Sequence, residues 1–169
     1  HPSVVTIGSV HSGTAANVIA EQAELKGSIR TTRASVRKRL HHGMRRMVAA
    51  AAELHDADLD IEITEGYPPV INEPAATSIA RQAAADIVGP DHVVAAEHPS
   101  MGSEDFSFYL EHRPGCFVRL GARQPGWEPT PLHSPSFDID ERVLGIGACF
   151  FDRIARLGYV HLKEFRNGI

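Results

Sequence analysis

The chain has little cysteine: Cys116 lies in an apolar run and Cys149 in a helical pattern, so the 169 residues hold no C-x-x-C pair and no disulfide framework. Long apolar runs are missing as well. The longest low-charge stretches, Val48 to Leu54 and Val143 to Phe151, fall short of the ~20 residues that a helix needs to cross a bilayer. The opening His1-Pro2-Ser3-Val4-Val5 has neither the basic region nor the apolar core of a secretion signal. No membrane association is expected, and a reducing cytoplasm is the expected compartment. Positive charge is not in excess either. The formal net charge is -4, with eight Lys/Arg against eight Asp/Glu in residues 1–68 and nine against thirteen in the rest, which argues against a nucleic-acid partner. Repeats and low-complexity segments are absent, and no initiator Met precedes the first strand pattern, so a fragment or processed piece is expected.

What the chain does have is a 43% hydrophobic composition, enough for one ordinary core or two small ones. The β-branched run Val4 to Val10 predicts a strand ending at the turn formers His11-Ser12-Gly13. From Glu21 to Thr32, Ala23, Leu25, Gly27 and Ile29 alternate with charged or polar neighbours, which predicts a second strand with one wet face. From Ser35 to Leu54 the apolar residues Val36, Leu40, Met44, Met47, Val48, Ala51 and Leu54 recur at helical spacing, with Thr32 as the candidate N-cap. The opposite face of this helix carries Arg37, Lys38, Arg39, His41, His42, Arg45 and Arg46. It reads as a solvated face, because no aromatics interleave for base stacking. Leu59, Ile61 and Ile63 alternate with acids and predict a third strand, which Gly66-Tyr67-Pro68-Pro69 ends.

A domain boundary is expected near Pro68 to Asn72. Beyond it come a helix over Ala75 to Val88, a short strand at Val93 to Ala95, and a loop, Glu97 to Phe106, leading into a short helix through Tyr109. A buried strand over Cys116 to Gly121 and a last helix over Val143 to Leu157 follow. Before that helix, Pro131 and Pro135 restrict the backbone on either side of His133, and Asp138 with Glu141 reads as a capping box. A single His in such a loop is open to two readings: a metal ligand on a rigid mount, or a turn residue hydrogen-bonded to backbone.

Four pieces in this order narrow the choice: Asn17-Val18-Ile19, Gly27-Ser28-Ile29-Arg30, Met101-Gly102-Ser103-Glu104-Asp105-Phe106, and Leu132-His133-Ser134-Pro135 with Phe137-Asp138-Ile139-Asp140-Glu141. Together they resemble the M20 metallopeptidases, in particular the amidohydrolase branch that includes hippurate hydrolases and the plant indole-acetyl-amino-acid hydrolases. The resemblance implies a mixed α+β and α/β chain. Residues 1–68 would be part of a ferredoxin-like lid, or dimerisation, domain, and residues 69–169 the C-terminal segment of an α/β zinc-peptidase-like catalytic domain.

It further implies a two-metal hydrolase in which a metal-bridging water, activated by a carboxylate, attacks an N-acyl amino acid or peptide. His133 would be one metal ligand, and Asn17, Arg30, Gly102 and Ser103 would contact the substrate. Two divalent ions per intact site, zinc, manganese or nickel, and a homodimer follow from the same resemblance. For Glu104 and Asp105 the structural reading is preferred: acids that stabilise the start of the short helix.

The chain also departs from the family. It has no His-x-Cys-Gly-His-Asp segment, no Glu-Glu pair for base and ligand, and nothing that resembles the family lid's Gly-x-x-His segment, and Ala20 stands where a Pro usually follows Asn-Val-Ile. With one ligand and no base, the chain alone is expected to be inactive; the alternative is a non-catalytic dimerisation or assembly module.

Overall fold

A computed structural model describes residues 2–167 of the chain, with side chains through Lys163. It contains both helix and sheet and divides into two compact units. One comprises the chain up to Val70 together with Glu97–Phe108; the other comprises Ile71–Ala96 and the chain from Tyr109 onward. Among the described residues, no helix is long and apolar enough to cross a membrane.

The first unit is built on a hairpin of β1 (Ser3–Ser12) and β2 (Ala23–Thr31), antiparallel with Val4 opposite Arg30 and Ile7 opposite Gly27. The register slips between Ile7 and Ser9, so Gly8 is the extra residue of a bulge. Gly27 is required by close approach rather than by turn geometry. A Cβ there would lie 2.3 Å from the carbonyl oxygen of Thr6, nearer than any real contact. The helix α1 (Ala34–His55) follows at once and packs on β2.

Its N-cap is Arg33, with no side-chain capping bond, and not Thr32, whose hydroxyl donates to the carbonyl of Pro2 instead. The helix also turns differently from its apolar pattern. Val36 and His41 are its buried residues, while Met47 and Leu54 are 73% and 77% exposed. The side turned inward runs through 37, 41, 44 and 48, and Arg37 is held in it by backbone. Its Nη1 donates to the carbonyls of Gly66 and Tyr67 at 3.5 and 3.2 Å, and its Nη2 lies 3.7 Å from Glu65.

The expected third strand does not form, and the sheet of the described residues has two strands. A strand exists only as a partner in a ladder, and no ladder reaches residues 58–65. The alternation survives as burial alone, with Ile61 and Ile63 half-buried between exposed Asp60, Glu62 and Thr64.

In the second unit α2 (Pro74–Val88) packs against α4 (Arg142–Asn167). Glu73 caps α2: its carboxylate accepts from the N–H groups of Ala75 and Ala76 at 3.0 and 2.7 Å, bonds that hold it below the usual carboxylate range, with Ala76 the larger cause. Small residues allow the helices to approach, Ala80 and Ala83 being 4% and 0% exposed. An ion pair clamps them, with Arg153 Nε and Nη2 both 2.6 Å from the same oxygen of Asp86, Oδ2.

Two further expectations fail here. At residues 93–95 there is no strand, because Pro90–His92 closes a 3-10 turn whose bonds take the N–H groups of His92 and Val93. Residues 116–121 are half-buried to exposed and form no strand. The side-chain amide of Asn72 pairs with both backbone groups of Phe117, at 2.9 Å each, where a neighbouring strand would. At the start of α4 the acid that accepts from the first helical N–H, that of Arg142, is Asp140 and not Asp138.

Candidate functional site

His133 sits in the second unit, in a tight turn that the N–H of Ser134 closes by donating to the carbonyl of Pro131 at 3.2 Å. A second turn follows immediately, Phe137 N–H to Ser134 carbonyl at 3.0 Å, reinforced by the Ser134 hydroxyl accepting from Ser136 N–H at 3.2 Å. Within this frame His133 adopts φ 70°, the left-handed region that ordinarily calls for glycine or asparagine at that place in a turn. The residue is exposed, and among the described residues its imidazole makes no hydrogen bond or ion pair. The reading of His133 as a turn residue bonded through its ring to backbone therefore has no bond to support it. Among the described residues the other non-glycine residue with positive φ is Asp56, φ 49°, which is the C-cap of α1.

The other residues singled out by sequence lie in the first unit. Arg30, near the end of β2, projects its guanidinium onto the loop before α3 (Phe106–His112): Nη1 donates to the carbonyl of Met101 at 2.8 Å and to the hydroxyl of Ser103 at 3.3 Å. Arg30 and Ser103 are thus brought together across 73 positions of sequence. Gly102 lies between Met101 and Ser103 in the chain, its N–H donating to the Ser100 hydroxyl at 3.1 Å. Asn17 stands apart, exposed in the turn that Val18 N–H closes onto Ala15 carbonyl, with no side-chain hydrogen bond among the described residues.

Glu104 stabilises the short helix, as expected of it. Its carboxylate accepts from Phe106 N–H at 3.1 Å, and its carbonyl accepts from the hydroxyl of Ser107 at 2.6 Å. The helix start is thereby taken by the chain's own acid.

Sequence reasoning missed three members of this neighbourhood. The Met101 carbonyl is a backbone acceptor that no sequence pattern marks. Ser107, 1% exposed, ties helix to loop, and its signal was available, since a serine three residues after an acid at a helix start is a local bonding pattern. Tyr67 meets Phe108 edge to face, ring centres 5.6 Å apart at 88°.

The donor set for a metal is incomplete within these residues. Among the described residues no three His, Cys, Asp or Glu side chains gather closely enough to hold an ion, and one imidazole is too few donors for a divalent cation.

The chain is 35% identical over 142 residues to an uncharacterized hydrolase of Sinorhizobium fredii, covering 84% of this chain and 35% of that protein. It is also 35% identical to the N-acetylcysteine deacetylase of Bacillus subtilis, covering 90% of this chain and 38% of the relative. A solved Bacillus subtilis protein, described as a dinuclear metal binding peptidase from the M20 family, superposes with a TM-score of 0.76 at 33% identity, over 90% of this chain and 41% of that one. The chain therefore spans about two-fifths of the length of such relatives. The family model matches residues 3–157, nearly the whole chain, and this protein belongs to peptidase family M20/M25/M40.

Proposed function

We propose that the chain is part of a metal-dependent amidohydrolase that cleaves the amide bond of N-acyl amino acids. The observation that carries the reading is the likeness to a deacetylase of N-acetylcysteine across nine-tenths of the chain, 90% by length. In this reading residues 1–68 belong to a lid or dimerisation domain that pairs with a second copy, and residues 69–169 to the catalytic domain.

His133 is one metal ligand. Support for it comes from the backbone: a strained φ of 70° at an exposed, unbonded imidazole is the kind of outlier that chemistry keeps and folding does not need. Asn17, Arg30, Gly102 and Ser103 contact the substrate. Arg30 commits Nη1 to the loop, and the rest of its planar fork suits a carboxylate. The remaining metal ligands and the base belong to family segments outside these residues, and the metal, zinc, manganese or nickel, is held only where those segments join His133.

A second reading, a non-catalytic assembly module, is favoured by one observation, the lack of a three-donor cluster among the described residues. The test is hydrolysis of acetyl- and benzoyl-amino acids by a full-length enzyme carrying this chain, beside its His133→Ala variant, with bound metal measured by mass spectrometry. Loss of metal and of most activity in a folded variant is expected. Unchanged metal content removes His133 from the ligand set, and a full-length enzyme inert on every N-acyl amino acid leaves the assembly reading standing.

A further inference from the structure

The segment from Glu97 to Phe108 groups with the hairpin unit although the chain on both sides of it belongs to the other unit. Something must fasten it there, and the bonds of its own loop and helix start are local. Ser100 hydroxyl accepts from Gly102, and Glu104 braces the start of α3, but neither bond reaches β1 or β2. Side-chain contacts at both of its ends reach the rest of the unit. At the far end Phe108 meets Tyr67. At the loop end the fastening is Arg30, whose Nη1 bonds the Met101 carbonyl and the Ser103 hydroxyl from the strand position opposite Val4.

We propose that Arg30 is a positioning residue that holds the Met101–Ser103 stretch in one geometry against β2. Both bonds have a charged donor, and such bonds are roughly twice as strong as neutral ones. They fall on either side of Gly102, so a single guanidinium fixes the residue that bends the loop and the hydroxyl that follows it. The consequence for substrate rests on the reading of Gly102 and Ser103 given above: their donors are presented together only while Arg30 holds the loop. The fastening itself rests on the hydrogen bonds alone.

Because the loop is exposed, an Arg30→Ala variant leaves Met101 carbonyl and Ser103 hydroxyl to water, not to an apolar interior, and the unit stays folded. Amide hydrogen exchange of the full chain, followed by mass spectrometry, then reads the loop directly. In R30A, exchange over 100–105 is expected to accelerate about three- to tenfold, the size of one or two exposed charge-assisted bonds, with β1 and β2 amides unchanged. R30K, which keeps a charged donor without the fork, is expected to fall between R30A and wild type. K26A removes another cation of β2, paired with Glu24 at 2.9 Å, and is expected to match wild type.

Loop exchange in R30A equal to wild type overturns the proposal. So does acceleration spread evenly over both strands, or an R30K loop as fast as that of R30A. The exchange experiment contains no substrate. An inactive full-length enzyme would therefore sink the amidohydrolase reading and leave the fastening intact, and unchanged exchange would do the reverse.

Discussion

Replacing His133 by glycine separates what the residue does for folding from what it does for chemistry. At φ 70° an L-residue is in the left-handed region, which costs about 1–2 kcal/mol relative to the right-handed one. Glycine bears no such cost, but the greater freedom of its unfolded chain takes back about 0.4–1 kcal/mol. The exposed imidazole makes no bond among the described residues, so little else is lost. The difference favours the variant by roughly 0.5 kcal/mol, which for a chain of this size raises Tm by about 1–2 °C. His133→Ala keeps the strain and loses only an exposed ring, so it should stay within about 0.5 kcal/mol of wild type. Urea unfolding of the three proteins at neutral pH, fitted with a shared m-value, measures both differences. A glycine variant less stable than wild type by more than about 1 kcal/mol would refute the reasoning, because the ring would then be holding the turn together and the strain would need no chemical explanation.

Four further outcomes are expected. Ala83→Leu, at a position 0% exposed on the α2 face that packs against α4, should destabilise by about 1–3 kcal/mol in urea unfolding, and a neutral result would show that the helices are not in close contact there. Gly27→Ala drives a Cβ into the Thr6 carbonyl and should speed amide exchange throughout β1 and β2; protection equal to wild type would remove the close approach. Arg153, with Gln82 assisting, holds the Asp86 carboxyl below its ordinary value, so the folded state binds fewer protons than the unfolded state; the resulting stability is present above about pH 4 and lost as pH falls through the folded value. Asp86→Asn should accordingly flatten the decline in urea midpoint between pH 6 and pH 3, and an unchanged decline would show that the clamp is not linked to acid sensitivity. The two-stranded sheet leaves its outer edges without a ladder among the described residues, so light scattering at micromolar concentration should find a homodimer; a stable monomer would mean that the edges are protected in another way.

Helices were legible in this sequence because their signals are local. The spacing that predicts Ser35 to Leu54 and Ala75 to Val88 lands within one residue of α1 and α2 at each end. What it does not give is the rotation of α1: the apolar pattern put His41 outside and Met47 inside, and the structure reverses both. With that rotation Arg37 reaches the carbonyls of Gly66 and Tyr67, some thirty positions away, where no periodicity extends. The two strands that pair with each other, β1 and β2, were legible too, whereas those expected over 58–65, 93–95 and 116–121 did not form, for the same reason in stronger form. Residues 58–65 alternate as a strand should and half-bury the isoleucines as a strand should, yet strand identity belongs to a pair of segments, and one segment's sequence cannot supply the other.

The candidate site divides along the same line. His133 was visible because two prolines flank it, and proline acts on its own backbone and its neighbour's. Its positive φ was not visible, since the turn that imposes it depends on a bond from Ser134 N–H to the Pro131 carbonyl, and that bond could have formed with other angles at the central residues. Arg30 was visible as a residue type suited to an anion, and its actual partners were hidden, because one is a main-chain carbonyl that every residue possesses. The most informative difference between sequence and structure therefore falls on Arg30. The family resemblance implies a substrate contact for Arg30, whereas the structure gives one of its nitrogens to the loop. A guanidinium can do both at once only because its five donors are rigidly arrayed, which is why the lysine variant should recover part of the loop's order without recovering the planar recognition of a carboxylate.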